Sequence, residues 1–278
     1  MKNKIKLFLK IFFILAAFFI IFHKIDINQL KSIKLQNPFF LFLAFLLFNA
    51  SQIISALRVH HYLRLIEITP KFKKQLMLYY VGMFYNMLLP GGIGGDAYKA
   101  YKFEQKYQKG YKKIIKALLI DRVSGLFAIL ILLSILLTFS NFNFYLKFTF
   151  LTIPVFIITL FLIHNHFFKE FKSLTLKNLF LSIIIQLLQL LSFISILLSL
   201  GIKNHIVDYS TLFFISSLLS VIPVSIGGVG LRELTFLYGL EILGLNPATG
   251  IVAAFLFFII TLISSAIGML FLKGVKDV

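Results

Sequence analysis

Apolar runs long enough to cross a lipid bilayer recur along the whole chain, and they limit the possible folds more strictly than any other feature. A spanning helix needs about 20 apolar residues to cross roughly 30 Å of hydrocarbon. Only 14% of the 278 residues are charged, so the chain cannot form the polar surface of a soluble domain. We therefore predict a single all-α polytopic domain over residues 1–278, multi-pass in the cell (inner or plasma) membrane. Six clear spans are expected at about 5–22, 38–58, 114–139, 147–163, 178–200 and 248–272.

The first apolar run follows a basic start, MKNKIK, and in this respect resembles a secretory signal peptide. The run is longer than the apolar region of a typical signal peptide, and it lacks a clear small-x-small cleavage site. An uncleaved first helix is therefore the favoured interpretation.

The net charge of +18 arises mainly from lysines that lie between the apolar runs. This distribution is typical of topology signals and argues against a folded basic face that binds nucleic acid. Contact with anionic lipid is the better interpretation of the charge. The expected partners are membrane lipids with an anionic or zwitterionic headgroup, together with a second copy of the chain or a lipid-modifying enzyme.

Two further apolar segments, 75–90 and 209–244, are interrupted by proline and glycine. The first reads PGGIGG at 90–95 and the second PVSIGG at 223–228, so both follow the pattern Pro-x-x-Ile-Gly-Gly. Non-helical backbone is tolerated at membrane depth only inside the protein or beside a watery cavity. Glycine permits positive φ and lets backbone N–H groups approach a ligand. The interruptions therefore predict a binding site, although close helix packing is the alternative.

Lysine and arginine positions decide how these two segments meet the membrane. If segment 75–90 simply crossed, the next loop would carry seven basic residues outside, against the positive-inside rule. The conflict disappears if about 75–113 enters from the cytoplasm and returns there, and if about 209–244 does so from the outside. This topology leaves both termini cytoplasmic, with 21 basic residues inside, five outside and two in the membrane. The inside group includes Arg58, which is assigned to the loop after the second span.

Two similar interruptions that approach from opposite faces indicate an inverted-topology repeat. In such proteins, broken helices meet near the middle of the bilayer and form a transport site. The predicted fold is therefore about six spanning helices plus two opposed, Gly/Pro-broken re-entrant hairpins, related as an inverted repeat.

Ionisable residues accompany both interruptions, and charged groups at membrane depth are costly and usually functional. Asp96 and Lys99 follow the first interruption at i, i+3, so they share a face if the return leg is helical. Three interpretations stay open, namely mutual neutralisation that holds the fold, contact with a lipid headgroup, and proton coupling. The other pairs of this kind are Asp121–Arg122 and Arg232–Glu233.

Three motifs together resemble a known family: NMLLPGGIGGDAYKAY, DRVSGL and IPVSIGGVGLRE. The motifs, and the order in which they occur, resemble those of the lysylphosphatidylglycerol synthase transmembrane-region family. Its members are also described as flippase-like and, in some cases, as dolichol-phosphate-glucose synthetase-like. The resemblance covers essentially the whole chain. In the bacterial multiple peptide resistance factor this region moves an aminoacylated phospholipid to the outer leaflet. Lys99 stands where the family commonly has arginine, which keeps the charge but loses bidentate phosphate recognition.

The resemblance implies a lipid translocase that moves a polar-headgroup phospholipid or a lipid-linked intermediate between leaflets. The alternatives are an intramembrane transferase acting on a lipid-linked substrate and a non-catalytic membrane partner of a lipid-modifying enzyme. The sequence has no P-loop, no cysteine and no Asp-x-Asp pair, so an enzyme is the less favoured interpretation. We predict no catalytic residue, cofactor or metal site.

The motifs also give the expected substrate-binding residues. These are Asn86, Pro90, Gly91, Gly92, Gly94, Gly95, Asp96, Lys99, Asp121, Arg122, Pro223, Gly227, Gly228, Gly230, Arg232 and Glu233.

Overall fold

The computed structural model of the protein describes residues 2–25, 33–88, 94–222 and 228–275. These ranges contain ten α-helices, two 3-10 segments and no β-strand, in agreement with the predicted all-α class. The α-helices are α1 (Lys2–Lys24), α2 (Pro38–Leu65), α3 (Phe72–Leu88), α4 (Gly94–Tyr107), α5 (Tyr111–Phe139), α6 (Ile153–Phe167), α7 (Thr175–Ser199), α8 (Ile206–Leu219), α9 (Leu231–Ile242) and α10 (Pro247–Leu270), and the 3-10 segments are Phe144–Thr152 and Lys169–Leu174.

Five helical stretches within the described ranges are long and apolar enough to cross a membrane, so the protein is a multi-pass membrane protein. They match five of the six predicted spans. The remaining predicted span, 5–22, lies within α1, whose part from Ile14 to Lys24 is apolar. The five stretches are Pro38–Leu65, Tyr111–Phe139, Tyr145–Phe167, Lys169–Ser199 and Pro247–Leu270.

The second predicted span is longer than expected, and this corrects one assignment made from the sequence. Asn37 caps α2 by accepting a hydrogen bond from the Phe39 amide at 3.0 Å, and Pro38 occupies the first turn. The helix then continues to Leu65 rather than ending near residue 58. Arg58 is therefore a buried residue inside α2 and not part of a cytoplasmic loop.

Polar side chains between the spans tie neighbouring helices together. Asn49 on α2 donates to Ser264 on α10 at 2.9 Å and accepts from the Tyr80 hydroxyl on α3 at 2.9 Å. Ser192 on α7 donates to the Ala44 carbonyl on α2 at 2.8 Å. Because lipid offers little hydrophobic driving force between helices, small residues and such hydrogen bonds help to set their packing.

Each interrupted segment is folded as two helices with the Pro/Gly sequence between them. We call α3 and α4 the first broken pair, and α8 and α9 the second broken pair. The first broken pair packs against α5 and α10, and the second broken pair packs against the same two helices. Both broken pairs are thus held against the same two long helices.

Close backbone contact sets the angle within the first broken pair. A Cβ atom placed on Gly95 would lie 1.8 Å from the carbonyl oxygen of Gly82, so any side chain at that position would clash with backbone. Gly95 therefore allows α4 to cross α3 directly after the break.

Candidate functional site

The start of α4 is stabilised by a side chain from the end of α3. The Asn86 side-chain oxygen accepts a hydrogen bond from the Gly95 amide at 2.8 Å. The first amides of a helix have no partner within the helix, so Asn86 supplies one. This contact fixes the position of the residues that follow, Asp96 and Lys99.

Asp96 lies in the first turn of α4, where the helix dipole favours a negative charge. One carboxylate oxygen pairs with Lys99 Nζ at 2.6 Å, and the other pairs with Arg122 Nε at 2.5 Å. The predicted shared face of Asp96 and Lys99 is therefore confirmed. Lys99 Nζ also lies over the Tyr79 ring, 5.1 Å from its centroid.

A second ion pair lies beside the first. Arg58 on α2 donates to both carboxylate oxygens of Asp121 on α5, through Nε at 2.7 Å and Nη2 at 3.0 Å. Its Nη1 donates to the Ser182 hydroxyl on α7 at 2.6 Å. A Cβ on Gly125 would lie 3.4 Å from this Nη1, so the guanidinium packs directly on the backbone of α5. Arg58 thus joins three spans.

These groups surround one cavity of about 210 Å³. A water molecule in the liquid occupies about 30 Å³, so the cavity has room for a small polar headgroup rather than for a single ion. Arg58 and Lys99 have side chains that are 7% exposed, whereas that of Arg122 is 45% exposed and marks the accessible side. The lining residues are Arg58, Tyr79, Met83, Asn86, Asp96, Lys99, Leu118, Asp121 and Arg122.

The second break has a different arrangement. Gly230 precedes α9, and its amide donates to a carboxylate oxygen of Glu233 at 2.7 Å. Among the described residues, the other carboxylate oxygen of Glu233 and the Nε of Arg232 have no hydrogen-bond partner. The Arg232 guanidinium instead lies 5.2 Å from the centroid of the Phe257 ring on α10.

Gly228 brings the backbone before α9 close to this arginine. Its φ of +83° is one that residues with a side chain rarely adopt. A Cβ there would lie 2.7 Å from the Ser220 hydroxyl and 3.0 Å from Arg232 Nε. The glycine therefore permits both the turn and the position of Arg232.

The structure brings together five of the residues predicted from the first and middle motifs, which line the cavity: Asn86, Asp96, Lys99, Asp121 and Arg122. Gly94 and Gly95 form the start of α4, and Gly228, Gly230, Arg232 and Glu233 lie at the second break without lining this cavity. Five predicted residues fall outside the described ranges, namely Pro90, Gly91, Gly92, Pro223 and Gly227.

Sequence analysis missed Arg58, Tyr79 and Ser182. For Arg58 the sequence is ambiguous, because apolar residues continue after it and the next proline comes only at Pro70, but histidines and charged residues are mixed with them. An arginine in such a stretch fits a loop as well as a functional position inside a helix. Ser182 had no comparable signal, since its role depends on how α7 packs against α2.

A comparison with known protein families establishes the family of this chain. The model of the lysylphosphatidylglycerol synthase TM region matches residues 7–268, which include both broken pairs and every cavity residue. The chain belongs to this family. No curated protein and no solved structure matches it. The resemblance inferred from the three motifs is thereby confirmed, and the protein is a membrane protein of the flippase-like type.

The buried Arg58–Asp121 pair gives a prediction about stability. Arg58→Met alone should destabilise the protein by about 3 kcal/mol, because it leaves the Asp121 carboxylate without its partner in a low-dielectric interior. Adding Asp121→Leu should restore much of that loss. The measurement is the thermal transition of detergent-solubilised protein, followed by size-exclusion chromatography after heating.

Arg64→Met is the matched control, since Arg64 is an exposed arginine on the same helix. It should change stability by no more than about 0.5 kcal/mol. Equal transitions for Arg58→Met and Arg64→Met would contradict the assigned role of the pair.

Proposed function

We propose that the protein is a lipid translocase that moves a polar-headgroup phospholipid, or a lipid-linked intermediate, between the leaflets. One observation carries this proposal: a charged cavity lies between helices whose outer surfaces are apolar, directly beside a helix break. Five ionised groups line this cavity, and three of them, Arg58, Lys99 and Asp121, are buried, which is costly within a membrane domain unless the protein uses them. A headgroup in this cavity would contact arginine and lysine, while its acyl or prenyl chains stay in lipid.

The exposure of the cations supports a path for the headgroup. Arg122 is the most exposed of the three cavity cations, and it shares Asp96 with the buried Lys99. A phosphate arriving from the membrane would meet Arg122 first and could then reach Arg58 on the inner side. Arginine is well suited to both contacts because its planar fork matches phosphate oxygens.

We also propose that the two broken pairs are re-entrant and are related as an inverted repeat. Helix packing supports this. The helix contacts have an internal symmetry. If α2 is exchanged with α7, α3 with α8, α4 with α9, and α5 with α10, each helix–helix contact within this set corresponds to another observed contact. For example, α3 with α10 becomes α8 with α5, and α4 with α5 becomes α9 with α10, while α2 with α7 becomes itself. Such symmetry is a feature of transporters that bind substrate at the repeat interface.

The charge distribution supports the proposed orientation in the cell membrane, with both termini cytoplasmic. Arg58 and Lys99 belong to the cavity, so they no longer count among the 21 basic residues assigned to the inside. The remaining 19 still greatly exceed the five outside. The positive-inside rule therefore continues to favour re-entrant pairs.

Transport can be tested with purified protein in liposomes that contain a trace of acyl-labelled phospholipid. We expect leaflet exchange without any new lipid product. Arg122→Gln should slow this exchange at least about tenfold, as expected for loss of one charge-assisted hydrogen bond to the headgroup. Arg64→Gln removes the same charge from an exposed site outside the cavity and should leave the rate unchanged.

Each other result in this assay contradicts a stated part of the proposal. No exchange by the unmodified protein would contradict translocation. A labelled product would support the transferase alternative. Equal rates for the two variants would exclude the cavity as the route.

The topology can be tested by single-cysteine labelling, because the chain has no cysteine of its own. Gln105→Cys and Lys169→Cys should react with a membrane-impermeant thiol reagent only from the cytoplasm. Lys203→Cys should react from the outside. Labelling of Gln105→Cys from the outside would make the first interrupted segment a true span and would rule out the re-entrant arrangement.

A further inference from the structure

The cavity has more positive than negative charge among the described residues that line it. Three are cations, Arg58, Lys99 and Arg122, and two are carboxylates, Asp96 and Asp121. The lining therefore carries a net formal charge of +1. Arg122 lies on the accessible side, so the field at the entrance of the cavity attracts a ligand that supplies one negative charge.

The hydrogen bonds favour the same ligand. All four carboxylate oxygens already have a protein cation within 3.0 Å: those of Asp96 face Lys99 and Arg122, and those of Asp121 both face Arg58. A cationic group on a ligand would therefore enter a site whose two carboxylates are already matched by three cations, and it would be repelled by them. The cavity therefore has no carboxylate charge that is left over for an ammonium group.

Donors, in contrast, remain for an anion. A guanidinium has five N–H groups, and Arg58 uses three of them for Asp121 and Ser182. Two N–H groups of Arg58 remain, one on each Nη nitrogen. Neither donates a hydrogen bond to any residue in the described part of the chain. Asp121 and Ser182 hold this guanidinium in one orientation, so its remaining donors are fixed before a ligand binds.

We propose that the cavity selects a phosphodiester headgroup of net charge −1 whose other polar groups are uncharged. It discriminates against zwitterionic headgroups and more strongly against cationic aminoacylated ones, whose ammonium groups would face three cations and only two carboxylates. This selectivity rests on the proposed translocase function and narrows its substrate class. Cavity charge is then the property that sets lipid preference.

The test compares three lipids that carry the same acyl label in phosphatidylcholine vesicles: phosphatidylglycerol, phosphatidylethanolamine and lysylphosphatidylglycerol. We expect the protein to move phosphatidylglycerol at least about tenfold faster than either of the others, the factor expected for one charge-assisted hydrogen bond. Equal rates, or faster movement of an ammonium-bearing lipid, would overturn the proposed selectivity while leaving translocation intact.

A charge variant tests whether the cavity itself determines the preference. Lys99→Gln makes the lining neutral, so the advantage of phosphatidylglycerol over phosphatidylethanolamine should fall at least several-fold. Lys112→Gln makes the same change at an exposed position outside the cavity and should keep the preference of the unmodified protein. An unchanged preference in Lys99→Gln would contradict control by the cavity charge.

Binding separates this inference from the translocase proposal. Short-chain phosphatidylglycerol should raise the thermal transition of the detergent-solubilised protein more than short-chain phosphatidylethanolamine does. This result without leaflet exchange would refute transport but support the selectivity. Absence of both the exchange and the difference in stabilisation would refute both.

Discussion

The ion pair between Arg58 and Asp121 connects the architecture of this protein to its chemistry. It joins α2 to α5 inside the membrane domain, and Ser182 extends the contact to α7. The pair also forms one wall of the cavity, beside the Asp96 cluster. Because removal of either charge would leave the other uncompensated, the sequence must keep both groups or neither. The positions of three spans and the charge of the site are therefore determined together.

Glycine at the first break makes this arrangement accessible. If α3 continued as a single helix, Asp96 and Lys99 would lie further along the same axis and not beside Arg122. The break and the close crossing of Gly82 and Gly95 direct α4 back against α3 and α5. Asp96 can then meet a cation from α5 at 2.5 Å. The division into α3 and α4 and the cluster of charges thus depend on one another.

Much of this fold was predictable because its signals are local. The apolar runs predicted the five long spans, and the Pro/Gly patterns predicted that each interrupted segment divides into two helices. The i, i+3 spacing of Asp96 and Lys99 gave their common face. The roles of Asp121 and Arg122 were harder to separate, since neighbours on a helix point about 100° apart. Asp121 faces Arg58, whereas Arg122 faces Asp96.

Arg58 was assigned incorrectly because counting of basic residues uses position in the sequence and not burial. A charged residue near the end of an apolar run fits a loop as well as a helix interior. Its partners, Asp121 and Ser182, are 63 and 124 residues away in the chain. Only the packing of α2 against α5 and α7 distinguishes the two locations.

The central claim is that the cavity at the first break holds a lipid headgroup. A structure determined in a bilayer containing phosphatidylglycerol tests this claim most directly. The account predicts a lipid phosphate inside the cavity, within about 3 Å of a guanidinium nitrogen of Arg58 or Arg122. Ordered lipid found only on the outer faces of the spans, with the cavity holding water alone, would contradict it.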